Sequence, residues 1–492
     1  MKRSSLGLIA FAGILSLGAG NARAATLTVT TLRDSGRGSL RQVIERANRT
    51  TSADTIVFAP RLRGTLGLMS SLPILSSPVS IIGPGRDRLN VRRTGKARYR
   101  IFTVAKEGNV LLSGLTLSNG FSPVTTKYYQ RTAGGGGVRN EGVLVLKDCA
   151  VTGNRAGSNG GGILNTGHQL TLMNCLVSDN QCLLTNPEFD GGPDFQAASG
   201  GGGLYNRQDN VELLIADCTF SNNVCHNDGD GGAIKNASGA EIRIRRSTLT
   251  QNTASRGGAL DSLVDSDGGG GSFDVSESLI SNNKADVGGA FCTAPYGGTA
   301  TFTNCTLGGN RAKEGGGAIS SGYGGVKLYN CTITGNISPK CAGVRTSVYS
   351  SISGCIIAGN LLPSHTPGID FDFWGPSQSR SRSKPASKLD PSQGGNLIGR
   401  GDAKTLAFFH GTGDRRNVSP AGLRLGPLAD NGGPTKTYAL LSGSPAIGKG
   451  ENYSADDDSS IDQRGVLRSQ GRDGNGDIGA FQTTKVAAKT KK

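Results

Sequence analysis

The sequence predicts an all-β chain folded as a parallel β-helix, with a short helix capping its N-terminal end. Three observations predict it. A six-residue pattern recurs at a fixed period, a Gly-led pattern runs ahead of it at the same period, and short alternating apolar runs lie between them. The six-residue pattern is (Cys/Ser)-x-apolar-small-x-Asn, as in Cys331-Thr332-Ile333-Thr334-Gly335-Asn336. It occurs at 149–154, 175–180, 218–223, 247–252, 278–283, 305–310, 331–336 and 355–360, with a weaker copy at 114–119. Asn283 to Asn310 is 27 residues, Asn310 to Asn336 is 26 and Asn336 to Asn360 is 24. Periods of this size mean stacked supersecondary units. The coils lack leucine-rich-repeat spacing and show no sustained helical period.

The Gly-led pattern reads Gly-Gly-(Ala/Gly)-apolar-x-(Asn/Ser/Thr) and starts at Gly160, Gly201, Gly231, Gly257, Gly288 and Gly316. Between the two patterns lie runs such as Leu144-Val145-Leu146, Ile242-Arg243-Ile244 and Val326-Lys327-Leu328-Tyr329, which alternate with the strand period. Leu146 and Cys149 are three apart, so the alternation changes phase and marks a corner. One coil is therefore three short strands and three turns. Coils stack at about 4.8 Å, the spacing of hydrogen-bonded strands. Asn154, Asn180, Asn223, Asn252, Asn283, Asn310, Asn336 and Asn360 then lie above one another and form a structural amide ladder. Gly and Asn also suit left-handed corners, which accounts for 77 Gly in 492 residues.

In chain order, residues 1–24 read as a secretory signal: Lys2 and Arg3, an apolar core, and Ala22-Arg23-Ala24 as a small-residue cleavage site. That core is short for a spanning helix, and no later stretch is long and apolar enough to be one. Residues 25–60 hold the cap and first strand. Ser39 with Gln42 makes a capping box, and Leu40, Val43, Ile44 and Ala47 share one helical face. A helix there covers an otherwise open strand edge. Residues 61–362 are the repeats, with insertions at 121–132 and 181–199. Residues 363–422 hold a basic Ser/Arg/Lys/Pro-rich loop at 376–392 and a last strand at 394–399. Residues 423–482 form a closing module, and 483–492 a Lys-rich tail.

Three resemblances attach to these residues. The opening, with Ser39-Leu40-Arg41-Gln42-Val43, resembles the Ser-Leu-Arg-x-Ala leader of exported bacterial β-helix proteins, with Val in place of Ala. Gly231-Gly232-Ala233-Ile234 and Phe220-Ser221-Asn222-Asn223 resemble the repeats of chlamydial polymorphic outer-membrane proteins. Gly426-Pro427-Leu428, Asp430-Asn431-Gly432-Gly433-Pro434-Thr435, Gly443-Ser444-Pro445-Ala446-Ile447, Asp462-Gln463-Arg464-Gly465 and Asp477-Ile478-Gly479-Ala480-Phe481 resemble the choice-of-anchor Q module. Together they imply a secreted or cell-surface right-handed parallel β-helix, like the pectin-lyase fold, and no defined reaction.

Candidate sites are few. Six of the ten Cys occupy the first position of the six-residue pattern, where Ser247 and Ser278 also stand, so these read as buried, unpaired packing residues. Cys182 and Cys225 each fall seven residues after that position in successive coils and are a candidate disulfide in an exported protein. Asp473, Asn475 and Asp477 are candidate Ca²⁺ ligands on a Gly-rich loop, although the Glu of an EF-hand is missing and an Asx-rich turn explains them as well. No other cofactor is expected. The four His are scattered without ligand spacing, and no Gly-x-Ser-x-Gly, His-Glu-x-x-His or P-loop pattern occurs.

A polysaccharide lyase or glycoside hydrolase on this fold is the alternative to binding. Asp228, Asp230, Asp265 and Asp267 are its candidate paired carboxylates, and Arg243-Ile244-Arg245 resembles a polygalacturonase Arg-Ile-Lys without its companion motifs. Fold analogy alone does not carry a reaction. The charge is +16, or +13 without Lys2, Arg3 and Arg23, and suits acidic polysaccharide or an anionic envelope surface. Nucleic acid is not expected, because a basic groove interleaved with aromatics is missing. The expectation is a secreted or surface protein acting in adhesion or binding, with a purely structural envelope component as a third class.

Overall fold

The computed structural model describes residues 23–123, 134–183, 200–208, 212–237, 239–262, 270–293, 298–322, 325–346, 350–373, 392–450, 460–468 and 476–484. The predicted leader core, the bodies of both insertions, the basic loop and the Lys-rich tail lie outside these residues. The fold is the expected parallel β-helix. A first sheet of twelve strands runs from Thr26–Val29 to Ser351–Ser353, a second of twelve from Gly64–Leu68 to Leu397–Ile398, and a third of ten from Phe102–Val104 to Ile369–Phe373. One coil shows the order: Ile234–Asn236 in the third sheet, Glu241–Arg245 in the first, then Thr248–Thr250 in the second.

Several coils also carry a fourth, shorter segment just after the ladder position. Phe121–Ser122, Arg155–Ala156, Gln181–Cys182 and Val224–Cys225 pair in parallel. Both predicted insertions therefore begin two residues later than the sequence suggested, because Phe121–Ser122 and Gln181–Cys182 belong to the coil itself.

Three left-handed corners turn each coil over the middle of the array. In one coil they are Arg246 at φ +46°, Gln251 at +59° and Gly257 at +58°. The ladder Asn residues are not among them. The strained position is the residue just before the ladder, Gly153, Asp179, Asn222, Gln251 or Asn282. This corrects the weak copy at 114–119. Asn119 has φ +59° and sits at the corner, Leu115 fills the first position, and Gly120 donates its backbone N–H to Asn154 at 2.8 Å. The copy is out of step by one residue. The paired glycines serve two needs. Gly231 has φ +64°, and a Cβ on Gly232 would come within 2.2 Å of the Gly258 carbonyl of the next coil.

Inside, apolar residues stack in columns, and Phe291 of the third sheet packs edge-on between Phe273 and Phe302 of the first, with rings 6.1 and 5.6 Å apart. Both ends of the core are covered. The helix Leu40–Ala47 buries Leu40, Val43, Ile44 and Ala47. Ser39 Oγ accepts from the Gln42 N–H, and Gln42 Oε1 accepts from the Gly38 N–H at 2.7 Å, so the capping box closes one residue before the cap. Arg41 braces the loop before the helix through Asp34 at 2.6 Å and ties the helix to the first coil through the Ser70 carbonyl at 3.0 Å. At the far end the helix Ala403–Ala407 buries Leu406, and Phe409 packs edge-on against Phe371 at 5.0 Å.

The residues read as a closing module thus do not close the end. They pack along the flank, on the outer face of the second sheet. A hairpin of Leu425–Ala429 and Thr437–Leu440 joins Leu423, Ala446 and Ile478 in burying Ile356, Ala358 and Leu397. Thr306 donates to Gln463 Oε1 at 2.6 Å, and the Ala480 N–H donates to Thr332 Oγ1 at 3.0 Å. Arg468 is fully buried between module and coil, donating to Asn304 Oδ1 at 2.8 Å and to the carbonyls of Ile461, Asp477 and Gly479.

Candidate binding face

The second sheet alternates apolar residues inward with hydroxyls outward. Val151, Val177, Phe220, Leu249 and Ile280 fill the core. Two rows flank them on the outside. One runs Gly67, Arg92, Ser118, Thr152, Ser178, Ser221, Thr250 and Ser281 through successive register pairs. The other includes Asn90, Thr116, Thr219 and Thr248. Hydroxyls hold one another between coils, with Thr152 to Ser178 at 3.0 Å and Thr250 to Ser281 at 3.2 Å. The result is a lengthwise strip that is largely hydroxylated, interrupted in the second row by Ala150 and Leu176, with Ser118, Ser178 and Ser281 buried within it. The flank module ends it, leaving a hollow of about 280 Å³ lined by Thr248, Leu279, Asp430, Gly433, Pro434, Thr435 and Lys436.

The other end of the strip is basic. Residues 25–107 hold 15 of the 53 Lys and Arg but only 5 of the 37 Asp and Glu. Arg92 points outward from the strand Leu89–Arg93 and is exposed. Arg63 and Arg88, one coil apart at the entry to the same sheet, are exposed as well. None of these three side chains forms an ion pair with a described residue. Arg86 lies along the edge and donates to the Asn174 carbonyl at 2.9 Å, and Arg93 turns to the Asn119 carbonyl at 2.7 Å.

The predicted Asn ladder is present and buried. Asn154 Nδ2 donates to Asn180 Oδ1 at 3.0 Å, and the same bond repeats through Asn223, Asn252, Asn283, Asn310, Asn336 and Asn360 at 2.8–3.0 Å. Asp370 ends the row, accepting from Asn360 Nδ2 at 2.7 Å. A shorter second ladder links Asn140, Asn165, Asn206 and Asn236.

All ten Cys are buried thiols. The repeated position asks for more than small size, since it must also accept a hydrogen bond. The Cys175 N–H donates to Cys218 Sγ, the Cys218 N–H to Ser247 Oγ and the Ser247 N–H to Ser278 Oγ. Burial drives the Cys149 thiol up to about 12, which keeps it inert. Cys182 and Cys225 are register partners on adjacent strands and share a buried contact with Ala254.

Asp473 and Asn475 lie outside the described residues. Asp477 is buried, and its two carboxylate oxygens accept from the Gly448 N–H at 2.7 Å and the Thr483 N–H at 2.5 Å. Asp265 and Asp267 also lie outside. Asp228 sits exposed at φ +61° on a turn. Asp230 is buried and salt-bridged to Lys235 at 2.7 Å, so the two are not an open carboxylate pair. Arg243 and Arg245 face out of the first sheet toward Glu241 at 2.7 Å and Asp274 at 3.8 Å. His168, His226, His365 and His410 are exposed and dispersed. Among the described residues no three His, Cys, Asp or Glu gather as a metal site, and no helix is long and apolar enough to cross a membrane.

One cluster escaped the sequence reading. Lys235, Asp261 and Cys292 are consecutive register partners on the outer side of the third sheet, all buried. Lys235 Nζ is 2.7 Å from Asp230 and 3.6 Å from Asp261. Burial, reinforced by the Asp230 charge, pushes the Asp261 carboxyl up to about 7, with Lys235 and Arg256 pulling the other way. Lys235 is raised by Asp230 and Asp261 against the cost of burial. The signal was in the x column of the Gly-led pattern, where Tyr205, Lys235, Asp261 and Cys292 follow one another.

Comparison with known proteins gives three results. Residues 217–237 match the Chlamydia polymorphic membrane protein repeat. They run from the corner before Cys218, through Asn223, to the residue after Asn236. No curated protein matches the sequence. Among solved structures, the crystal structure of pectate lyase Pel9A aligns with 94% of this chain and 96% of its own, at 12% identity and a TM-score of 0.44.

Proposed function

We propose that the protein is displayed at a cell or envelope surface and binds acidic polysaccharide, held lengthwise on the outer face of the second sheet. The observation that supports this reading is the unpaired Arg63, Arg88 and Arg92, exposed at the head of a sheet face whose hydroxyls are buried or half-buried. Coils repeat at about 4.8 Å, close to the length of one sugar in a linear polymer. Half-buried Thr116, Thr152, Thr219, Ser221, Thr248 and Thr250 can thus offer polar contacts to successive sugars, while the arginines meet the acid groups. Guanidinium groups suit carboxylates and sulfates through paired hydrogen bonds. The predicted leader and the polymorphic membrane protein repeat accord with a surface location, and residues 423–482 are read as a choice-of-anchor Q module.

The test incubates the purified protein with a panel of insoluble acidic and neutral polysaccharides, at low and high salt, and assays new reducing ends in the same tubes. Retention on acidic polymers alone, lost at high salt and without product, is the expected result. Equal retention on neutral polymers, or none on any, would remove the reading. New reducing ends would replace binding with cleavage.

A further inference from the structure

We propose that Lys235 and Asp261 join in an intramolecular isopeptide bond that closes one coil into a covalent ring, with Asp230 as the base. The three side chains are brought together by the repeat itself. Lys235 and Asp261 hold the same place in consecutive Gly-led patterns, so parallel pairing sets them side by side. Asp230 stands five residues earlier, just before the left-handed Gly231 corner that folds it back over Lys235. Lys235 Nζ lies 2.7 Å from Asp230 Oδ2 and 3.6 Å from Asp261 Oδ2. Lys235 and Asp261 are fully shielded from solvent, and Asp230 is 2% exposed.

The Asp261 carboxyl is the unusual member. Neither of its oxygens has a hydrogen-bond partner, although the group is completely buried. A charge held there without donors is costly, whereas a neutral amide is not. Two features suit Asp261 to be attacked rather than to act as base. Its environment favours the protonated acid, the better electrophile, and Asp230 already accepts a hydrogen bond from the Lys235 ammonium. Fixed approach of amine and acyl carbon supplies the orientation that such a reaction otherwise lacks.

The step balances without a co-reactant. Asp230 takes one proton from the Lys235 ammonium, leaving a neutral amine. Nζ attacks Asp261 Cγ and the C–N bond forms. The carbon–oxygen bond to the Asp261 hydroxyl breaks, and that hydroxyl leaves as water with a second lysine proton. One N–H remains on the amide, and Asp230 ends protonated.

The test is a tryptic map of the purified, denatured protein, read by mass spectrometry. Cleavage after Lys235 is expected to fail, and the peptide 257–284 to appear only as a branched species with the Lys235 peptide, lighter than their sum by one water. K235M and D261A should each return the separate 257–284 peptide. D230A keeps both joined groups but should slow bond formation at least tenfold. Free 257–284 with complete cleavage after Lys235 in the wild-type protein would overturn the proposal, whether or not the variants fold. So would a water loss confined to Asp230-Gly231 with no branching, which marks a succinimide.

Discussion

Asn336 shows what one ladder residue does. Its Oδ1 accepts from both the backbone N–H and the Nδ2 of Asn310 at 2.9 Å, and its Nδ2 donates to Asn360 Oδ1 and the Leu307 carbonyl. Asn336→Ala would leave buried groups on two neighbouring coils without partners. A loss of about 3 kcal/mol in chemical denaturation is expected, with polysaccharide binding retained at temperatures where the variant stays folded. Unchanged unfolding would contradict the ladder's role. Asp370 ends the same ladder and adds a pH dependence. Burial raises its carboxyl from 3.8 to about 6, outweighing the N–H groups of Arg400 and Asn360. The folded chain therefore keeps this proton longer than the unfolded chain. The group's contribution to stability is full below about pH 4 and declines as pH rises to about 6, by about 3 kcal/mol at most. Asp370→Asn should remove that slope from the stability profile between those pH values. A slope identical to wild type would refute the assignment.

At the scale of elements, the legibility of the sequence followed from stacking. A residue that must meet its own kind one coil away recurs visibly, and so the ladders, the Gly pairs and the Cys/Ser position were readable. The weak copy at 114–119 misled because Asn is favoured both on the ladder and at the left-handed corner beside it, and only the backbone tells the two apart. The helix cap was readable for a local reason, since Ser39 and Gln42 lie within one turn. Ser39→Ala should cost about 1 kcal/mol, visible as a lower melting temperature. The flank module was not readable as a flank element, because its contacts reach far along the chain. Arg468 meets Asn304, and Gln463 meets Thr306. Arg468→Met leaves several buried acceptors unpaired, and should cost about 3 kcal/mol or more. Limited proteolysis is expected to cut residues 423–482 first while the coils stay resistant. Simultaneous digestion of coils and module would show that the module is integral to the core rather than docked on it.

For the whole molecule, the two ends and the two halves divide the work. Helical segments cover both ends of the core, which leaves the flanks as the long free surfaces. On the second sheet the C-terminal half is occupied by the module, and the N-terminal half is open, hydroxylated and basic at its head. The net charge was legible in the composition, but its concentration beside one sheet was not, because that depends on which corner each Arg occupies. The buried Lys235 and Asp261 were missed for a related reason. Charge in a repeat's variable column looks like solvent-facing decoration until the structure shows the column covered. The most direct measurement is a titration of the retained acidic polysaccharide against wild-type protein and an Arg63→Gln, Arg88→Gln, Arg92→Gln triple variant at low salt. These side chains are exposed, so the variant should melt within a degree or two of wild type. Affinity should fall at least tenfold, with a weaker dependence on salt. Equal affinity and equal salt dependence in the two proteins would contradict the assignment of the binding face.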